Sequence, residues 1–275
     1  MIDNIVDDIY NRMTTSKIIN EDNLNTFLSN LKSVLKDSLE KERAGRKNNL
    51  RMSSIGKADR KIWMEVNGPE KSYKAGGQFL IRMLYGSIVE ELLLFLVREA
   101  GHSVSDEQKE VHVNGVRGHI DCKIDEEVVD IKSASDYGFR KFKNGFGEED
   151  DFGYIGQLSG YVEAEGKDRG YFLAMNKSTG EIALLEVDDF DLVNATDRID
   201  KIRSILQDKD NPPVHCGKPV AEGTSGNKVL PRICNFCEYK KDCWPELRSF
   251  QYSRSIKHFT KIVKEPKVEE IFNAA

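Results

Sequence analysis

Residues 118–132 read GHIDCKIDEEVVDIK, and this stretch decides the fold. Side chains alternate between the two faces of a strand, so Asp130 and Lys132 share one face while the apolar residues beside them take the other. If the acidic turn in the middle closes a hairpin, Asp121 becomes a near neighbour of Asp130 across the strand pair. Two adjacent carboxylates repel unless a cation lies between them, and Mg²⁺ prefers oxygen ligands. The stretch therefore predicts a strand pair that carries a metal site.

The segments on either side of this stretch predict an α/β fold. A long apolar helix is expected before it, at about 77–100, with Gly101 as its C-terminal cap. Alternating apolar residues over 104–132, separated by turn residues, predict an antiparallel meander. A polar, glycine-rich connection is expected at 136–153. Further helices and strands are predicted at 154–165, 170–175, 182–187 and 191–207. This order is typical of a sheet covered by helices.

A third carboxylate is expected from the apolar helix. Glu90 and Glu91 lie within IVEELLLF, residues 88–95, and an ionised carboxylate in such surroundings needs a partner. Helical spacing places Glu90 beside apolar side chains and a glycine, whereas Glu91 shares its face with Arg98. Glu90 is therefore predicted to be the more buried acid. The Asp-x-Lys pattern alone is common on the solvent-exposed face of a hairpin. Its combination with two further acids is what indicates a metal site.

These residues resemble the active-site pattern of the PD-(D/E)XK nuclease superfamily. Asp121 matches the first acid, and Asp130-Ile131-Lys132 matches the D-x-K element. The later segment YIGQLSGY, residues 154–161, matches the Q-L-x-x-Y motif of the RecB-like exonuclease branch. The resemblance implies a restriction-endonuclease-like core at residues 51–210, in which helices flank a central mixed sheet.

The resemblance also implies roles for individual residues. Four ligands are implied for Mg²⁺ or Mn²⁺: Glu90, Asp121, Asp130 and the main-chain carbonyl of Ile131. The metals would polarise the scissile phosphate and activate a water, and Lys132 would stabilise charge or help to orient that water. Gln157 and Tyr161 lie on one helical face and could reach one phosphate or water together. Without the family context, a polar-edged helix that packs on the sheet explains this pair equally well.

Four of the five cysteines lie near the C-terminus, in the pattern C-x17-C-x2-C-x5-C. They are Cys216, Cys234, Cys237 and Cys243. Because no secretory signal is found, clustered cysteines favour metal ligands over disulfides. Four thiolates suffice for either Zn²⁺ or a [4Fe-4S] cluster. The spacing thus predicts a cysteine metal site and leaves both metals open.

The resemblance favours the iron–sulfur cluster at these cysteines. C-x2-C-x5-C near the C-terminus is typical of the iron–sulfur nucleases related to AddB and to the CRISPR-adaptation exonucleases. Those relatives usually supply the remaining cysteine from a site before the nuclease core, where this chain has Ala58. Cys216 would then be the fourth ligand, and a site so local in sequence also suits zinc. With either metal the expected role is structural, since phosphodiester hydrolysis needs no redox chemistry.

The spacing of apolar residues and the distribution of charge predict how the rest of the chain is organised. Residues 1–50 predict a helical extension, residues 211–250 a cysteine-rich segment packed on the core, and residues 251–275 a C-terminal tail. The net charge of -5 argues against a protein that coats nucleic acid. Two basic clusters, which usually mark solvated faces, could still contact DNA: Lys41, Arg43, Arg46, Lys47 and Arg51, and Arg254, Lys257, Lys261 and Lys264.

The N-terminus and the apolar runs predict a cytoplasmic protein without membrane contact. Residues 1–10 are acidic and lack the apolar segment of a signal peptide. The longest apolar run, residues 92–97, is too short to span a bilayer.

The expected function is that of an exonuclease acting on DNA ends or single strands, in recombination, repair or DNA degradation. The resemblance extends to stand-alone, phage-encoded enzymes of this kind. The chain has no G-x-x-x-x-G-K-[S/T] phosphate loop, so unwinding would require a helicase or recombination protein as partner. Two alternatives stay open. One is a structure-specific or restriction-type endonuclease with the same centre, and the other is a non-catalytic DNA-binding subunit that retains the fold.

Overall fold

The computed structural model describes residues 1–40, 50–69, 76–147, 150–235, 237–253 and 255–272. These residues form two compact units. The first unit comprises Met1–Gly56 and Lys74–Asp200, and the second comprises Lys57–Tyr73 and Lys201–Ala275. No helix in the described part of the chain is both long and apolar enough to cross a membrane.

Helices and strands alternate along most of the described chain. The helices are α1 (Ile5–Thr14), α2 (Glu21–Leu39), α3 (Asp59–Asn67), α4 (Gly77–Glu99), α5 (Asp136–Asn144), α6 (Tyr154–Ala164), α7 (Ala195–Gln207), α8 (Arg232–Asn235) and α9 (Lys240–Cys243). The strands are β1 (Val104–Ser105), β2 (Glu110–Val113), β3 (Val116–His119), β4 (Cys122–Ile124), β5 (Glu127–Ala134), β6 (Gly170–Asn176), β7 (Ile182–Val187), β8 (Val220–Ala221), β9 (Lys228–Val229), β10 (Arg248–Tyr252) and β11 (Ser255–Lys261). Short 3₁₀ turns lie at Ile2–Asn4 and Met52–Ser54.

A five-stranded sheet in the order β1-β4-β5-β6-β7 forms the centre of the first unit. The pairs β1–β4, β4–β5 and β6–β7 are antiparallel, whereas β5 and β6 run parallel. Strand β6 is buried along its whole length, as expected for a strand covered on both faces. The prediction of a central mixed sheet is confirmed.

Helices cover both faces of this sheet. On one face, α1 and α4 pack against the odd-numbered positions of β5, with these side chains in one apolar cluster: Ile5, Ile9, Val89, Leu93, Val97, Val129 and Ile131. Each fully buried aliphatic side chain of this kind contributes roughly 1.5–3 kcal/mol. On the other face, Phe142 of α5 and Tyr154 of α6 contact Phe172 of β6. The even-numbered positions of β5, Asp130 and Lys132, therefore belong to the side of α5 and α6.

The predicted antiparallel meander is wrong in one respect. β2 and β3 form a separate hairpin, and β4 pairs with β5 instead of β3. Both hairpins turn at the predicted residue pairs, 114–115 and 125–126; positive φ is expected for Asn114-Gly115, whereas Glu126 adopts it without such a preference. Asp121 lies between β3 and β4 and so stands at a strand end, not within a strand.

The connection predicted as polar and glycine-rich at 136–153 contains helix α5. Ser135 caps this helix, because its hydroxyl accepts a hydrogen bond from the Gly138 N–H at 3.5 Å. Phe139 and Phe142 are buried on one helical face, next to the sheet. The helix is therefore stabilised by packing on the sheet, which composition alone does not reveal.

The second unit contains α3 and a four-stranded sheet in the order β10-β11-β9-β8. Trp63 and Met64 of α3 pack against Tyr239, and the Trp63 Nε1 donates a hydrogen bond to the Asp208 carbonyl at 2.7 Å. The sequence analysis assigned most of these residues to a cysteine-rich segment and a tail, and it did not predict a sheet there.

Candidate active site

Three carboxylates and one lysine of the first unit meet where β4 begins beside β5. Asp121, just before β4, directs its carboxylate toward β5, and its Oδ2 accepts a hydrogen bond from the Ile131 main-chain N–H at 2.9 Å. This bond satisfies a backbone donor that has no strand partner beyond the end of β4. The N–H and C=O of one strand residue point to the same side, so the Ile131 carbonyl also faces this position.

Asp130 and Lys132 form the buried part of the site. The Asp130 side chain is only 1% exposed, and the Lys132 ammonium is in contact with its Oδ2. Among the described residues, none donates a hydrogen bond of regular geometry to either Asp130 oxygen. Burial raises the pKa of Asp130 to about 7; Asp121 adds to this effect, and Lys132 opposes it.

The charge of Lys132 is balanced by the surrounding acids. Burial by itself lowers the pKa of this lysine, but Asp130, Asp121 and Glu90 outweigh it and raise the pKa well above its usual range. The ammonium therefore stays charged at neutral pH. Its Nζ also lies 5.5 Å from the centroid of the Tyr154 ring, within the range of a cation–π contact.

Glu90 reaches the site from α4. Its Oε1 accepts a hydrogen bond from the Ser133 hydroxyl at 3.5 Å, and burial raises its pKa to about 7, with Lys132 opposing and Asp121 adding. Gly86 allows this approach of α4 to β5, because a Cβ there would lie 3.1 Å from the Ser133 Oγ. Burial also raises the pKa of Glu91, which interacts with Asn30, Glu107 and Arg98. Glu90 thus interacts with the charge of Lys132, whereas the cation that acts on Glu91 is Arg98.

Helix α6 contributes the two residues of the Q-L-x-x-Y segment. The Gln157 Nε2 donates a hydrogen bond to the Tyr161 hydroxyl at 2.9 Å. Tyr161 is 3% exposed; burial raises its pKa, and the charges of Asp130 and Asp121 raise it further. The pair therefore lies next to the acids. The Tyr161 hydroxyl stays protonated at neutral pH.

The sequence analysis missed two residues of this site. Lys177, in the turn after β6, is close enough for its charge to lower the pKa of Glu90. Ser133 contacts Glu90 directly. Lys177 lies far from the motifs in sequence, and a lysine in a turn does not by itself indicate a functional site. Ser133 could have been considered, because it follows the D-x-K element on the same strand.

These residues form an acidic cluster around Lys132, whose ammonium contacts Asp130. Asp130 supplies buried oxygens without regular hydrogen bonds, which is unfavourable unless a cation binds them. Within the ranges that the structure describes, however, no group of three or more His, Cys, Asp or Glu side chains is arranged so as to hold a metal ion. The ammonium of Lys132 is the cation in direct contact with Asp130.

The four clustered cysteines lie in the second unit and line one pocket together with Arg60 and Lys61. A hydrogen bond from Cys234, opposed by burial, lowers the pKa of Cys216, and the nearby Arg60 and Lys61 add to this effect; the same contact raises the pKa of Cys234, and burial raises that of Cys237. The Arg60 Nε donates to the Cys243 Sγ at 3.3 Å. A thiolate is thus favoured at this pocket, and thiolates are the form in which cysteine binds metals.

Most of the first basic cluster lies outside the described residues, as Lys41, Arg43, Arg46 and Lys47 do. Arg254 of the second cluster also lies outside them. Lys257 is described and forms an ion pair with Glu222 at 3.0 Å.

Comparisons with known proteins add weak likenesses. No family model matches the chain, and no curated protein matches it. The crystal structure of SSO0001 is 16% identical, with a TM-score of 0.41, and the match covers 80% of this chain and 96% of that chain. An alkaline exonuclease from Laribacter hongkongensis, LHK-Exo, is 15% identical with a TM-score of 0.42, over 59% of this chain and 89% of that chain. The structure of LHK-Exo in complex with dAMP is 13% identical with a TM-score of 0.35, over 68% of this chain and 95% of that chain. At these identities and TM-scores the likenesses do not support a function.

Proposed function

We propose that this chain is a metal-dependent DNA nuclease of the PD-(D/E)XK type and acts as an exonuclease on DNA ends or single strands. One observation carries the proposal: the Lys132 ammonium on β5 contacts Asp130 and interacts with the charges of Asp121 and Glu90. Two of these acids, Glu90 and Asp130, have pKa values raised to about 7. Such raised pKa values lower the stability of the folded protein, and they are common at catalytic sites. The Q-L-x-x-Y segment on α6, next to the acids, supports the RecB-like branch.

The donor atoms at this site suit a divalent cation in their chemistry, although no three acidic side chains of the described residues are arranged around one position. Glu90, Asp121, Asp130 and the Ile131 carbonyl offer only oxygens, which Mg²⁺ and Mn²⁺ prefer. When bound, such a metal would supply Lewis-acid stabilisation of the phosphate and a more acidic water. The raised pKa values of Glu90 and Asp130 are consistent with this role, because a cation would favour their ionised forms.

The remaining side chains act directly on the substrate. Lys132, charged at neutral pH, stabilises the negative charge that builds up on the phosphate oxygens during hydrolysis. Because Gln157 donates to the Tyr161 oxygen, the hydroxyl proton of Tyr161 is directed elsewhere and can be donated to a phosphate oxygen or to a water. Burial of Tyr161 excludes bulk water from this side of the site.

The cysteine pocket of the second unit would hold a structural metal group, a [4Fe-4S] cluster or, as the alternative, Zn²⁺. Its support is the convergence of four thiols on one pocket and the lowered pKa of Cys216. The absorbance spectrum of anaerobically purified protein, with iron, sulfide and zinc analysis, separates the two. Zinc without iron or acid-labile sulfide would exclude the cluster.

The nuclease proposal is tested on end-labelled linear DNA with Mg²⁺ or Mn²⁺. The wild-type protein should release short products, Asp130→Ala should be inactive, and the exposed Asp189→Ala should cleave like wild type. Undiminished cleavage by Asp130→Ala would refute the assignment of the site. Closed circular DNA should stay intact, since its cutting would indicate an endonuclease instead.

ATP should leave the cleavage rate unchanged, because the sequence has no phosphate loop. Duplex unwinding, where it is needed, would be the task of a helicase or recombination protein as partner.

A further inference from the structure

An aromatic side chain at the surface is connected to the candidate active site by ring contacts. Phe152, two residues before α6, is 53% exposed. Its ring stacks on that of Tyr154, with a centroid distance of 5.6 Å and an interplanar angle of 27°. The Tyr154 ring in turn lies 5.5 Å from the Lys132 Nζ. Two successive contacts thus lead from the exposed ring to the lysine that touches Asp130.

Buried aromatic rings pack against the Tyr154 ring. Its ring contacts three buried rings, those of Phe142, Phe146 and Phe172, at centroid distances of 5.7, 5.9 and 6.2 Å. Phe152 is therefore the outermost member of a rigid aromatic cluster. An exposed Phe presents a flat apolar surface to water, and this surface is favourable for stacking.

The backbone around Phe152 is held by Asp150. The Asp150 Oδ1 accepts hydrogen bonds from the main-chain N–H groups of Gly153 and Tyr154 at 3.0 and 2.9 Å, and its Oδ2 accepts from Ile155 at 2.8 Å. These bonds use the free N–H groups at the start of α6, so this helix end is not available to a phosphate. The segment can bind a nucleic acid through the exposed ring and not through the helix end.

We propose that Phe152 is a stacking platform for one unpaired nucleobase of the strand whose phosphodiester lies at Lys132. This inference rests on the proposed nuclease function and adds a substrate class to it. A base inside a duplex has both faces covered by neighbouring base pairs, so a protein ring can stack on it only where the strand is single or frayed at an end. The platform therefore selects single-stranded DNA without reading its sequence, because every base has a π-face.

Anisotropy of a labelled single-stranded oligonucleotide tests the platform apart from cleavage, with Ca²⁺ in place of Mg²⁺. A single abasic nucleotide is moved along the strand, and each dissociation constant is measured for wild type, Phe152→Leu and Phe152→Trp. Phe190→Leu is the matched control, because Phe190 is 96% exposed and has no role in the site. Thermal unfolding of each variant confirms that it is folded.

At one position the abasic nucleotide should weaken wild-type binding roughly 5- to 150-fold, the usual range for one base stacked on an aromatic ring. Phe152→Leu should weaken binding of the intact strand by a similar factor, and the abasic nucleotide should then add little. Phe152→Trp and Phe190→Leu should retain the wild-type pattern. If the abasic penalty is independent of Phe152 at every position, the platform is refuted.

The failure of the platform and the failure of the nuclease are distinguishable. Mg²⁺-dependent cleavage that is lost in Asp130→Ala, together with no dependence on Phe152, overturns the platform alone. Base-dependent binding through Phe152 without cleavage overturns the catalytic role and keeps the platform. A wild-type protein that binds no DNA overturns both.

Discussion

Replacing Asp130 with asparagine should stabilise the metal-free protein at pH 8 and abolish cleavage. The substitution keeps the shape of the side chain and removes a charge at a position only 1% exposed. The ordinary pKa of 3.8 is raised to about 7 at this position, so the folded protein disfavours the ionised form. Asparagine relieves that penalty and also removes a metal ligand.

The pH dependence follows from the direction of the shift. Because the pKa is higher in the folded state, the folded protein retains a proton that the unfolded chain releases between about pH 4 and pH 7. The free energy of unfolding of the metal-free wild type therefore falls as the pH rises through this window. The pKa of Glu90 is also raised in the folded protein, so Glu90 adds to this loss of stability.

Two effects oppose each other at this position. Asparagine removes the cost of burying the Asp130 charge, and it also removes the partner of the Lys132 ammonium, for which Asp121 and Glu90 remain as compensating charges. We expect a gain of roughly 1–3 kcal/mol at pH 8 and a much smaller one at pH 5.

The measurement is urea unfolding of wild type and Asp130→Asn in EDTA at pH 5 and pH 8, repeated with Mg²⁺. Mg²⁺ should stabilise the wild type and leave the variant nearly unchanged. A variant that is less stable than wild type at pH 8, or a stability difference that is independent of pH, would refute the reasoning. The first result would show that the ion pair with Lys132 outweighs the cost of burying the Asp130 charge, and the second would show that Asp130 does not titrate differently in the folded and unfolded states.

Three further predictions use matched substitutions. Glu90→Gln should lose most Mg²⁺-dependent cleavage in the end-labelled assay, whereas Glu91→Gln should retain it; equal losses would remove Glu90 from the site. Lys132→Met should lower the cleavage rate roughly 100-fold or more and destabilise the metal-free protein at pH 8, since three carboxylates lose their cation; unfolding curves and initial rates check both effects. Cys216→Ser should lower bound metal and folded yield before it lowers the activity per folded molecule, while Cys122→Ala should keep the metal; elemental analysis decides, and unchanged metal in Cys216→Ser would contradict the four-thiol site.

Several features of the fold could be predicted because they depend on near neighbours in sequence. The turn at 114–115 has the positive φ values that Asn114 and Gly115 favour. Alternation along β5 places Asp130 and Lys132 on one face, and the contact between them agrees with it. Helix α4 spans the predicted segment, since its length and apolar run leave few alternatives.

Other features depend on partners distant in sequence. The two hairpins separate at Asp121, whose carboxylate takes the place of a strand partner for the Ile131 N–H ten residues later. Helix α5 is stabilised by packing its buried phenylalanines on β6, a partner that lies far along the chain.

The sequence by itself determined which chemically active residues lie near one another along the chain: two acids and a lysine in one hairpin segment, an acid in an apolar helix, and four clustered cysteines. Periodicity and motif spacing carry that information, since both are local. Only the tertiary structure decided that Glu90 faces Lys132, that Lys177 and Ser133 join it, and that Phe152 stacks outward from Tyr154. The reason is physical, because burial and the distances between charges are set by how helices pack across a sheet, and neither is encoded in any one segment.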